Sequence, residues 1–134
     1  MIGTERPKYI ELNELNEASI GFSLSILDDL EQFIPSIRRL YFLASSFEPV
    51  VRGNHAHLNQ HQILFLIEGK ATLNLESVVG EKFSFKFDGR GILIPPKYWI
   101  ELEMDSHSKV LCLASQAYCK LLSINKKEAF SKLS

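Results

Sequence analysis

From Tyr9 onward, polar and apolar positions alternate in short bursts, the period-two pattern of strands that bury one face. The clearest case is EKFSFKFDGRG, which sets Phe83, Phe85 and Phe87 on one side and Lys82, Ser84 and Lys86 on the other. SIRRLYFLAS is dense in large and β-favouring side chains, and SKVLCLAS reads as one more strand. HQILFLIEG ends in Glu-Gly, a turn signal, and KATLNLES alternates cleanly after it, so the two together predict a hairpin. GILIPPKYWIELEM is a strand interrupted by Pro95 and Pro96, which donate no ladder hydrogen bond and so mark a bend or an edge. Helix is scarce. NELNEASI has room for a turn, and SINKKEAFSKLS predicts a short C-terminal helix, apolar at Ile124, Ala129, Phe130 and Leu133 with Ser123 as candidate cap. Short strands with turn signals at roughly ten-residue intervals predict an all-β sandwich or barrel. No repeat or Pro/Gly/Ser linker divides the chain, so residues 1–134 are expected to form one domain.

Composition narrows the function classes. With 46% apolar and 23% charged residues over 134 positions, the chain is long enough to bury a core and ordinary for a soluble globular protein. Fifteen basic residues against sixteen acidic ones leave a formal charge of −1, without the basic excess or stripe of a nucleic-acid binder. No uncharged stretch approaches the length that spans a bilayer, and MIGTERPKYIEL lacks the apolar core of a signal peptide. No membrane or nucleic-acid partner and a cytoplasmic location are therefore expected. Cys112 and Cys119 are the only cysteines and read as reduced thiols, Cys112 in the core.

The chemistry concentrates in RGNHAHLNQHQILFLIEG, residues 52–69. On a strand His55 and His57 share a face, with Cα atoms roughly 6.5–7 Å apart, so both rings can reach one small ligand. The spacing His55-x-His57-x4-Gln62-x6-Gly69 resembles the first motif of the cupin fold, a double-stranded β-helix or jelly-roll barrel. Gly89, Pro95, Lys97, Ile100 and Met104 stand where the second cupin motif has Gly, Pro, Gly, His and Asn. Cupin metal sites use three histidines and a glutamate. Here the glutamate place is Gln62 and the third histidine place Ile100, and two imidazoles alone rarely hold a transition metal. His61 faces away from Gln62, and His107 reads as a loop residue. The expectation is no metal and no cofactor, with the pair moving protons near neutral pH or, in the plainer alternative, one histidine serving as a hydrogen-bonded structural residue.

Over most of its length the chain also resembles the sugar 3,4-ketoisomerases, cupin-fold enzymes acting on dTDP-4-keto-6-deoxyglucose. GFSL, FIPSIRRLYFL, RGNHAH, HQILFLIEG, ILIPPKYW and LCLASQAY carry the likeness, with Arg39, Tyr41, Trp99 and Tyr118 at matching intervals. The resemblance implies a metal-independent, homodimeric isomerase that moves a carbonyl from C4 to C3 of a dTDP-linked keto-deoxysugar through an enediol, feeding surface-polysaccharide (O-antigen) synthesis. It implies His55 and His57 as the acid/base pair. Arg52, Arg39 and Tyr41 would hold the sugar or its pyrophosphate, Trp99 would stack on base or sugar, and Gln62 and Tyr118 would complete the binding site. Tyr41 and Trp99 are equally readable as core, Arg39 as a surface ion-pair partner, and Gln62 as a group orienting a histidine. The sequence departs from the family pattern at Ile100, where a histidine follows the tryptophan, and over Cys119–Asn125, which lacks the usual acidic and arginine groups. A non-catalytic nucleotide-sugar-binding cupin therefore stands as the alternative to the isomerase, with a metal-dependent cupin behind both.

Overall fold

In this computed structural model, which describes residues 5–116 and 123–133, twelve strands and one short helix follow one another along the chain. The strands are β1 (Lys8–Ile10), β2 (Asn13–Glu17), β3 (Phe22–Ile26), β4 (Arg39–Ala44), β5 (Val50–His57), β6 (Gln62–Glu68), β7 (Ala71–Ser77), β8 (Lys82–Lys86), β9 (Gly91–Ile94), β10 (Tyr98–Met104), β11 (Lys109–Ala114) and β12 (Ser123–Ile124), followed by α1 (Lys127–Ser131). Two antiparallel five-stranded sheets form, in the orders β1-β9-β6-β11-β4 and β12-β5-β10-β7-β8, and β2 pairs only with β3. This is the all-β cupin barrel with a short C-terminal helix that the alternation and the motif spacing predict.

The inward positions of both sheets make one core. Leu64, Ile92, Ile94, Val110 and Cys112 come from the first sheet, Leu73, Leu75, Ile100, Leu102 and Met104 from the second. Phe83, Phe85 and Phe87 pack against this core from one side of their strand, as their alternation predicts. A second cluster lies on the outer face of the first sheet, where Ile34, Leu27, Leu30 and Phe33 cover Ile10, Ile63 and Leu93.

Two expectations change. The EG turn does not close a hairpin, because β6 pairs with β9 and β11 while β7 pairs with β8 and β10. Gly69 instead carries the chain from one sheet to the other at φ +81, with a Cβ there only 2.7 Å from the Ser108 Cα. A two-residue turn signal cannot say whether the chain returns along its own sheet or crosses to the facing one. NELNEASI holds its expected turn at Ala18–Ile20, a 3-10 turn, while its first five residues are strand: β2 pairs in register with β3, setting Leu15 opposite Leu24. The helix begins at Lys127 with Lys126 as its N-cap and no side-chain cap bond, so Ser123 lies in β12 rather than at the helix start. Pro95 and Pro96 do mark a bend, separating β9 in one sheet from β10 in the other.

Candidate active site

β5 carries the two histidines, and a bulge decides what else joins them. His55 lies opposite Ile100 and Ala56 opposite Trp99; the register then shifts, and Gly53 faces Glu101 while Arg52 faces Leu102. Asn54, at φ +53, is the extra residue, beside Gly53 at φ +101. Ile100 and Leu102 both point into the barrel, and residues directly opposite one another share a face. Simple alternation would put Arg52 and His55, three apart, on opposite faces; the bulge puts both on the cavity side, Arg52 at an exposed position. Gly53 is the residue that permits this, since a Cβ would lie 2.7 Å from the Ile100 carbonyl oxygen.

Within the barrel is a cavity of about 100 Å³, whose lining includes Tyr41, Arg52, His55, Gln62, Ile100 and Cys112. The histidine rings stand nearly perpendicular (81°, centroids 4.6 Å apart), with Nε2 to Nε2 at 2.9 Å. A contact of that length between two such atoms needs one proton, so one ring donates and the other accepts. Burial, reinforced by the charges of His55 and Arg39, pushes His57 down to about 4, which leaves it neutral at neutral pH.

β4 supplies the facing wall. The Gln62 amide donates to the Tyr41 hydroxyl at 2.7 Å, and Cys112 lines the same cavity. Burial raises Tyr41 above its ordinary range and pushes Cys112 up to about 12, so both keep their protons. The Arg39 guanidinium lies over the Tyr41 ring at 4.9 Å and donates to Gln60 Oε1 at 3.0 Å. Gln60, only 5% exposed, went unnoticed in the sequence reading; its one signal is its place just before the strand that bears Gln62.

The structure thus brings together His55, His57, Arg52, Arg39, Tyr41 and Gln62. It does not bring Trp99 to them. As the neighbour of inward-facing Ile100, Trp99 lies on the outer face of its sheet, with Phe130 at 5.8 Å and Lys127 at 5.5 Å. One step along a strand reverses the side, so the ring expected to stack on base or sugar stands on the other face of the sheet from the histidines. Tyr118 and Cys119 lie outside the described residues. His61 faces out to Glu5 at 2.8 Å, and His107 sits in a turn at φ +55.

A cupin metal does not fit this donor set. Gln62 is engaged with Tyr41, the third-histidine place is the hydrocarbon Ile100, and the two imidazoles bond each other. Among the described residues no group of three or more His, Cys, Asp and Glu gathers into a ligand cluster. No helix there is long and apolar enough to cross a membrane.

A family model described as FdtA: WxcM-like, C-terminal, matches residues 5–134. No curated protein matches the sequence. Among solved structures, a 3,4-ketoisomerase from Helicobacter canadensis superposes with a TM-score of 0.81 at 27% identity, over 95% of this chain and 96% of that one. The WlaRB TDP-quinovose 3,4-ketoisomerase from Campylobacter jejuni gives 0.79 at 26% identity, over 96% and 99%. QdtA, a sugar 3,4-ketoisomerase from Thermoanaerobacterium thermosaccharolyticum in complex with TDP, gives 0.81 at 23% identity, over 95% and 93%.

Proposed function

The chain belongs to the FdtA family (WxcM-like, C-terminal), and from that premise we propose that it is a nucleotide-sugar 3,4-ketoisomerase, converting a dTDP-4-keto-6-deoxyhexose to its 3-keto isomer. The observation that carries this reading is the imidazole pair, 2.9 Å apart at Nε2, beside a cavity that also presents a tyrosine, an arginine and a glutamine. His55, which lines the cavity, takes the proton from C3 while the C4 oxygen gains one, giving the enediol. Loss of the proton on the C3 oxygen and delivery of one to C4 then complete the exchange. Protons are conserved and no outside oxidant is consumed. His57, kept neutral by burial, shares the travelling proton across the Nε2 contact. Arg52 and Arg39 suit the diphosphate, and Tyr41 keeps a protonated hydroxyl for the sugar oxygens.

In deuterated buffer with dTDP-4-keto-6-deoxyglucose, NMR should show deuterium entering the ring and 3-keto product appearing. His55→Asn and His57→Asn should each slow turnover by about 10² to 10⁴, the usual share of acid–base catalysis. Ile100, a hydrocarbon in the cavity wall, favours a second reading as a nucleotide-sugar-binding protein without turnover. Tight binding with no exchange and no product would establish that reading over ours.

The working unit is a homodimer. β4 ends its sheet among the described residues, and Leu40 and Phe42 on its outer face are 55% and 56% exposed. The β2–β3 hairpin exposes Leu15, Phe22 and Leu24 as well, and an isolated hairpin is marginal in water. Sedimentation should report about twice the 15.3 kDa chain mass, and a monomer at working concentration would refute the assembly.

A further inference from the structure

Trp99 has no contact with the barrel chemistry, yet it borders a separate hollow on the surface. On the outer face of β10, β7 and β8 lies a groove of about 480 Å³. Its floor and walls are Trp99, Asn74, Glu76, Ser84 and Glu101, with Lys82 and Lys127 at its margins. That volume falls within the range of small-ligand pockets, and the mixture of aromatic surface with a few fixed polar groups has their usual character. Because strand neighbours alternate, this groove and the histidine cavity lie on opposite faces of one sheet.

The polar groups are held in place. Ser84 Oγ donates to Asn74 Oδ1 at 2.9 Å, and the Asn74 amide donates to Glu101 at 3.3 Å and to Glu103 at 2.7 Å. Lys127 donates to Glu76 at 3.3 Å, with its ammonium 5.5 Å from the Trp99 ring centroid. Two lysines face two glutamates in the lining, so the charges balance. A phosphate-bearing ligand would meet Glu76, Glu101 and neighbouring Glu103, and a cationic one would meet Lys82 and Lys127. What suits the groove is an uncharged molecule with one flat C–H face for the aromatic ring and several hydroxyls. Carboxylates accept from those hydroxyls, and ammonium groups donate to them.

We propose that this groove is a second binding site, outside the barrel, for a neutral sugar residue seated on Trp99 between Glu101, Asn74 and Glu76. It does not depend on the isomerase reading, and its test is separable from it.

Trp99 is the sole tryptophan of the chain, so tryptophan emission comes from the ring that borders this groove. The full-length protein is titrated with maltose, with and without saturating TDP. A saturable change in emission is expected, with the same midpoint in both series. Glu101→Gln, which removes a charged acceptor, should weaken binding about tenfold, as should Ser84→Ala through release of Asn74. Unchanged far-UV circular dichroism of the variants establishes that folding is not what was lost. An emission change that never saturates, equal midpoints in wild type and both variants, or displacement of maltose by TDP would each overturn the proposal.

Discussion

Replacing Gly53 by alanine tests whether the β5 bulge assembles the site. The residue sits at φ +101, and the added Cβ would stand 2.7 Å from the Ile100 carbonyl oxygen and 3.2 Å from its carbon, both backbone atoms that cannot swing aside. Holding a non-glycine residue in that region costs about 1–3 kcal/mol before the contact is relieved. With an unfolding entropy of about 2.1 cal/mol/K per residue, a chain of 134 residues loses about 4–11 °C in Tm. Relief requires β5 and β10 to part by some tenths of an ångström at the point where Arg52 and His55 turn onto one face. Misplacement approaching 1 Å lowers turnover about 10²-fold. Gly80→Ala is the matched control: its φ is +88, but nothing lies within 4 Å of the added Cβ. Differential scanning calorimetry and turnover of the proposed keto sugar are measured for both. If Gly53→Ala behaves as Gly80→Ala does in melting and in rate, the bulge is not what aligns the two side chains.

Three other outcomes follow from the same geometry. His57 titrates near 4 in the fold against an ordinary 6.5, so the unfolded chain binds more protons between those values. Stability is therefore fully present above about pH 6.5 and falls by about 3 kcal/mol as pH drops towards 4; urea melts across that window should show the slope, and His57→Asn should flatten it. Tyr41→Phe strands the Gln62 amide at a cost of about 1–3 kcal/mol, whereas adding Gln62→Leu should recover most of it; a double variant no more stable than the single one would refute the pairing. Phe130→Ala, at a site 1% exposed, should cost about 3–5 kcal/mol and shift Trp99 emission to the red as α1 lifts away; an unshifted spectrum would mean that the helix does not shield the ring.

The alternation of Phe83, Phe85 and Phe87 placed a strand face correctly because one side of β8 meets the core and the other does not. Cys112 was legible as core for a similar reason, lying among apolar neighbours on β11. The Glu68–Gly69 turn was misread because local turn chemistry is the same whether the chain folds back or crosses between sheets. What sends it across is the packing of Gly69 against Ser108, residues far apart in sequence. Asn13–Glu17 was not legible as a strand because both of its faces are exposed, and an unburied strand leaves no alternating signature.

The site shows where spacing rules stop. His55 and His57 share a face by simple counting, and the structure brings their nitrogens together. The stacking role of Trp99 came from family likeness alone, and counting from inward Ile100 places its ring on the outer face. Arg52 is the converse: counting from His55 would have excluded it, and only the strand-interrupting Gly53-Asn54 pair signalled otherwise. The difference matters for the chemistry. With Ile100 and Gln62 at the vacated ligand places, the barrel gathers its cation from β5 itself, through a bulge one residue long. An arginine brought in this way cannot ligate a metal, but it can neutralise an anion beside two imidazoles that stay free to exchange a proton. The bulge and the lost ligands therefore make one argument, in which substituting Gly53 should disturb anion binding and proton transfer together.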